Sequence, residues 1–178
     1  TAQAAEGYII QLYSEGKLQK SYAIPYADIE TAKAPAALNG KAGYTFKEWN
    51  TSSDGTGTSY AAGSTYSTDA DLELFAQWET IKTTLTVNPN EGTWEGSSET
   101  QTFTQNYNTT KNIPNPTAPK GYTVKFDGNG GESEQSELTQ SKAFDNWTLT
   151  GAGNFAGTTY TFADKEGTLT ANYTENDI

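Results

Sequence analysis

The sequence predicts a mainly β protein of two tandem small modules, each a twisted antiparallel or mixed sheet with at most one short helix. Three observations carry this. Gly, Ser, Thr, Asn and Asp fill the spaces between short aromatic or β-branched runs, the pattern of many short strands joined by turns. Within the runs, residues alternate with period two: Leu74, Ala76 and Trp78 against Phe75 and Gln77, Val124 and Phe126 against Lys125. Such alternation gives a strand one buried face and one wetter face. Finally, three motifs recur in one order at nearly one spacing.

Taken along the chain, Tyr8–Tyr13 is the first candidate strand. The one helical candidate follows at Tyr26–Leu38, where Asp28 is placed to cap Ile29–Ala34. Pro35 interrupts it, so a short helix near 28–38 of one or two turns is expected. Tyr44–Trp49 and Leu72–Trp78 complete the first set of strands. The second set is Thr83–Asn88, Thr100–Thr104, Tyr122–Phe126, Phe144–Leu149, Thr158–Phe162 and Thr168–Tyr173. Three prolines within Ile113–Pro119 predict an extended connection between them.

The repeat divides the chain. Phe46-Lys-Glu-Trp49 matches Phe144-Asp-Asn-Trp147, and Ala62-Gly-Ser-Thr-Tyr66 matches Ala156-Gly-Thr-Thr-Tyr160. Leu74-Phe-Ala-Gln-Trp78 matches Leu169-Thr-Ala-Asn-Tyr173. The boundary falls near Glu79–Lys82, giving modules at 1–80 and 81–178. Gly43-Tyr-Thr45 also matches Gly121-Tyr-Thr123, but only the second copy then inserts 124–143 before the Phe-x-x-Trp motif. This insert reads as a hairpin turning at Asp127–Gly131.

Gly43-Tyr-Thr-Phe-Lys-Glu-Trp49, Gly55-Thr-Gly57, Tyr60, Gly63 and Leu74-Phe-Ala-Gln-Trp78 resemble the Listeria–Bacteroides repeat, the B-repeat of internalin B. Leu85–Trp94 is similar to that family's opening strand and turn, and Tyr122–Gly131 to a second copy of it. The resemblance covers most of 43–178 and is weaker over 7–42. Glu48 and Asn146 stand where the family usually has Gly before Trp, and Asn50 replaces a common aromatic. The resemblance implies a β-grasp-like module used in series in surface proteins of Gram-positive and gut bacteria, as stalk, spacer or adhesive surface, without catalysis.

Composition points the same way. The chain has no His, Cys, Met or Arg, which removes the Ser-His-Asp triad, the Cys nucleophile, the usual zinc site and the arginine clamp. Carboxylate pairs and Lys remain as acid–base options, but nothing completes a catalytic constellation. No catalytic residue, no metal site and no cofactor are therefore assigned. A net charge of −11 is the wrong sign for nucleic acid, and mean hydropathy of −0.72 without a long apolar run excludes a membrane-inserted helix. The absence of Cys fits a bacterial surface protein that folds without disulfides, and we expect an extracellular, monomeric piece of a longer chain whose partners are its neighbouring modules. The short link at Thr80–Lys82 predicts a semi-rigid pair.

Matched aromatics are most simply core: Phe46, Trp49, Leu74, Ala76 and Trp78 in one module, Phe144, Trp147, Leu169, Ala171 and Tyr173 in the other. Trp94 and Tyr107 stand apart, in polar stretches suited to stacking on sugar rings. They carry the alternative function, a module that binds host or dietary glycans or a surface protein, with Trp94 covering the end of its own core as the competing reading. Tyr13, Tyr22 and Tyr26 are weaker candidates of the same kind. Asp127–Glu132 resembles a calcium loop, but Gly131 takes the place of its third ligand and Glu132 that of its turn glycine. The sequons at Asn50, Asn108, Asn146 and Asn172 are expected by chance in a Thr-rich chain.

Overall fold

The computed structural model describes residues 6–66, 69–125 and 137–176. They form two compact units, Thr1–Ile81 and Lys82–Ile178. Unit 1 holds β1 (Gly7–Ser14), β2 (Lys17–Pro25), β3 (Tyr44–Asn50), β4 (Ser59–Tyr60) and β5 (Leu72–Thr80), in the sheet order β2-β1-β5-β3-β4. β1 and β2 form a hairpin with two loop residues, Glu15 (φ 51°) and Gly16 (φ 74°). Positive φ at both matches the right-handed twist of the flanking strands. β1 then pairs in parallel with β5, from Ile10↔Leu72 to Tyr13↔Phe75. β5 pairs antiparallel with β3, with a bulge between Phe46 and Glu48.

The inward-facing residues close one core around Ile10, Leu12, Trp49 and Leu74, with Tyr60 and Tyr66 beside them. Trp49 is fully buried, and its indole N–H donates to the Pro35 carbonyl at 3.2 Å. That bond satisfies the one polar atom of a large apolar side chain. Trp78, expected in this core, is instead half-buried, edge-on to Phe46 at 5.9 Å.

The helix expected over 28–38 is a single 3-10 turn at Tyr26–Asp28. No side chain caps it, and the Asp28 carbonyl accepts from the amides of Thr31 and Ala32 and from the Thr31 hydroxyl. Pro35 biases Ala34 away from the helical region, and the Ala34 amide bonds the Ser64 carbonyl at 2.6 Å. Tertiary pairing therefore replaces a helix too short to nucleate.

Unit 2 holds β6 (Lys82–Asn88), β7 (Gln101–Asn106), β8 (Thr110–Asn112), β9 (Tyr122–Lys125), β10 (Glu137–Gly151), β11 (Asn154–Ala156), β12 (Thr159–Thr161) and β13 (Gly167–Asn176). Its main sheet runs β7-β6-β13-β10-β9, and β11-β12-β8 form a second, three-stranded sheet. The first four positions of the main sheet repeat unit 1 strand for strand. β6 and β13 pair in parallel as β1 and β5 do. Phe144↔Tyr173 and Trp147↔Ala171 repeat Phe46↔Trp78 and Trp49↔Ala76, and the bulge recurs between Phe144 and Asn146. β9 pairs antiparallel with the start of β10, which runs unbroken from Glu137 to Gly151. The turn assigned to Asp127–Gly131, and the loop-like stretch to Glu132, lie outside the described residues.

Leu85, Val87, Ile113, Phe162 and Leu169 form the unit 2 core with Trp94 and Tyr160. The proline-rich connection reaches into it: Ile113 is fully buried, and Thr117 bridges to Thr93. Of the other residues expected in this core, Trp147 packs half-buried against it, whereas Phe144 and Tyr173 are half-buried but not part of it, and the Tyr173 hydroxyl donates to the Pro89 carbonyl at 2.8 Å.

Candidate functional site

Trp94, one of the two aromatics assigned to sugar stacking, cannot present a face. It is fully buried, and its indole N–H donates to the Pro114 carbonyl at 2.8 Å. Phe103 packs edge-on at 5.8 Å, and the ammonium of Lys111 lies 3.8 Å from the Phe103 ring. The turn before it delivers Trp94 inward, with Asn90 left-handed (φ 57°) and its amide bonded to the Asn88 side chain. Burial of a large ring outweighs its polar sequence neighbours. Tyr107 is half-buried and lines a shallow concavity with Asn108, Gly153, Asn154 and Thr161. Tyr22 bonds the Tyr66 hydroxyl at 2.9 Å beside the core, and Tyr26 is exposed, edge-on to Tyr8. Asn50 is fully buried, whereas Asn108 and Asn146 are exposed and Asn172 is half-buried.

The aromatics that do gather at a cavity belong to unit 1. Tyr13 and Phe75 are register partners of the parallel pair, and their rings stack at 5.0 Å and 20°. They and Trp78 line a cleft of about 200 Å3 with Glu15, Lys41 and Ser53. The Tyr13 hydroxyl donates to Glu73 at 3.3 Å. Desolvation, then the Glu73 carboxylate, raises the phenol above its ordinary range.

One wall is the β1–β2 turn with Lys41. The Lys41 ammonium reaches Glu15 at 3.1 Å and lies 4.3 Å from the Tyr44 ring and 5.5 Å from that of Trp78. The other wall is the 51–58 loop that carries Ser53, and buried Asn50 builds it. The Asn50 side-chain oxygen accepts from the amides of Ser52 (2.9 Å) and Gly57 (3.0 Å). Its amide group donates to the carbonyls of Gly55 (3.2 Å) and Gly57 (3.3 Å) and to the Ser59 hydroxyl (3.2 Å). A Cβ on Gly57 would run into Thr51 and Asn50. Gln77 ties the loop down by donating to the Ser52 carbonyl at 3.2 Å. Within the loop, the Ser52 hydroxyl, the Thr56 hydroxyl and the Thr56 amide bond the Asp54 carboxylate and lower its pKa from 3.8 to about 2.

The Glu15 carboxylate at this cleft is paired with lysine, and the described residues contain no group of three or more acidic side chains placed to hold a metal. The feature on which the family comparison falls is the surrounding sheet. The model of the Listeria-Bacteroides repeat domain matches residues 14–77, from the end of β1 into β5. Within unit 1, residues 14–77 are thus similar to a Listeria-Bacteroides repeat. No curated protein and no solved structure matches the chain. The repeat is typically a non-catalytic structural module of bacterial surface proteins. Its match takes in 14–42, where the resemblance of motifs is weaker, and does not enter 82–178.

In the sequence Tyr13 is only a weak stacking candidate, and alternation places Phe75 on the wetter face of its strand. Which outward residues become neighbours depends on the parallel β1–β5 register, and strands some sixty residues apart carry no local signal of it. The one available clue was composition: Phe75 is a large apolar residue at a position that alternation turns outward.

Proposed function

We propose that the chain is a pair of spacer modules from a bacterial surface protein, with unit 2 a modified second copy of the repeat in unit 1. The observation that carries the spacer role is the parallel pairing of the first strand of each unit with its last: β1 with β5, β6 with β13. Parallel strands place chain entry and exit at opposite ends of a unit, about 35 Å apart for strands of this length. Tension on the two ends then runs along the strands. It loads the β1–β5 hydrogen bonds together in shear instead of opening them one at a time. The common strand order, register and bulge support the second copy. A surplus of acid favours solubility and weak self-association.

Pulling the full chain between two marker domains tests this. At no more than ~3.6 Å of contour per residue, the stretch from Gly7 to Thr80 and that from Lys82 to Asn176 should release roughly 230 and 300 Å in separate, abrupt steps. Smooth extension without steps would end the spacer reading. The glycan-binding alternative loses Trp94 and rests on other aromatics.

A further inference from the structure

We propose that the unit 1 cleft floored by Tyr13, Phe75 and Trp78 is a subsite for one pyranose ring of a neutral oligosaccharide. The spacer role neither requires this nor excludes it. The strongest argument comes from the other unit. In the shared register, Tyr13↔Phe75 of the β1–β5 pair corresponds to Asn88↔Thr170 of the β6–β13 pair. Unit 2 forms its core from other residues and carries only those small polar side chains at this place, outside that core. The scaffold therefore has no need of an aromatic stack at this place, and unit 1 carries one on a partly solvent-exposed face.

The chemistry fits a sugar. A stack of two rings has outer faces that a third flat apolar surface can continue, and the C–H face of a pyranose is such a surface. Sugar hydroxyls need donors and acceptors side by side. The rim offers the Lys41 ammonium, the Glu15 carboxylate 3.1 Å from it, and Ser53. Glu15 and Lys41 offset each other, and Glu73 adds a negative charge next to Tyr13, so an anionic ligand is disfavoured. The cleft, about 200 Å3, falls below the 300–1,000 Å3 usual for larger ligands, which suits a single ring. Both walls are set in advance, one by the two positive-φ residues of the β1–β2 turn and one by Asn50 and Gln77. Preorganisation reduces the ordering cost of binding.

The test uses the full chain with cellohexaose, maltohexaose, mannohexaose and xylohexaose, followed by calorimetry and tryptophan fluorescence. At least one should bind with a millimolar or tighter Kd. The double substitution Tyr13→Asn with Phe75→Thr, which installs the unit 2 residues, should weaken it about tenfold or more while the melting temperature holds. Should the double variant melt early, amide shifts on the unaltered chain decide: changes centred on Ser53 and Lys41 support the site. Failure of all four sugars, binding that survives in a folded double variant, or changes centred on Tyr107 and Asn154 would each overturn it.

Discussion

Replacing Asn50 by alanine should release the 51–58 loop and destabilise unit 1. The side chain is fully buried and makes two short acceptor bonds and three donor bonds to its own loop and β4. An amide has two N–H donors, so four of these count at full strength. Each such bond is worth about 1 kcal/mol net, and a buried group left without its partner costs about 1–3 kcal/mol. Water can reach Gly57, which is exposed, and in part Ser52, which is half-buried. The net cost is then on the order of 2–4 kcal/mol. A domain of this size loses about 4–8 °C per kcal/mol, so the unit 1 melting temperature should fall by on the order of 10–30 °C. Thermal melts of the full chain and hydrogen exchange at the Ser52 and Gly57 amides read the two effects. Asn50→Asp keeps the acceptor but turns the donor end into carboxylate oxygen facing two carbonyls; it should be at least as damaging at neutral pH and recover in acid. A melt within about 1 °C of the parent, with both amides still protected, would refute the hub role.

Trp94→Ala should cost about 3–5 kcal/mol in unit 2, as loss of a buried ring does; unchanged stability in denaturant titration would return Trp94 to the surface. Gly92→Ala drives a Cβ into the Tyr173 hydroxyl and the Thr117 carbonyl, for an expected loss of about 1–3 kcal/mol. Tyr173→Phe in the same chain should relieve part of it, seen as non-additivity in a double-mutant cycle. Burial, then the Tyr22 hydroxyl, raises the pKa of Tyr66. Its neutral form is therefore worth stability that is present below the ordinary value near 10 and lost as pH rises beyond it. Melting of unit 1 should fall across that range, and less steeply in Tyr66→Phe. Asp54 has the opposite sign: its folded pKa lies near 2, below 3.8, so its contribution is present above 3.8 and lost as pH falls through 2. An NMR titration of the carboxyl should show the low midpoint, and Thr56→Val should raise it.

The strands with a buried face were legible in the sequence. Alternation in Leu72–Trp78 and Thr168–Tyr173 marks β5 and β13, and the repeated Phe-x-x-Trp motif lies in one register with one bulge in both units. β2 was not legible. It is an edge strand whose residues are mostly exposed, with only Ile24 buried, so no apolar rhythm marks it. β4, β8 and β11 are two or three residues long, too short for any pattern. Good helix formers at 28–38 gave way to Pro35 and to the Ala34–Ser64 bond. Trp94 misled because its polar neighbours suggest a surface, while the carbonyl that receives its N–H belongs to Pro114, in the proline-rich connection that follows later in the chain. The unit 1 cleft was hidden for a related reason: a parallel register, not local order, brings Tyr13 to Phe75.

The closing of each sheet by its last strand also governs when a unit can fold. β1 and β2 can form a hairpin early, but β5 supplies Leu72 and Leu74 to the core and separates β1 from β3 in the sheet. Until that strand has been delivered, the nascent unit lacks its centre, and contacts of such long sequence separation form slowly. A chain emerging from its amino end would thus stay open through most of a unit and then complete it as one event. A unit still short of its final strand therefore has no finished core, and its stability arrives with β5 in one step.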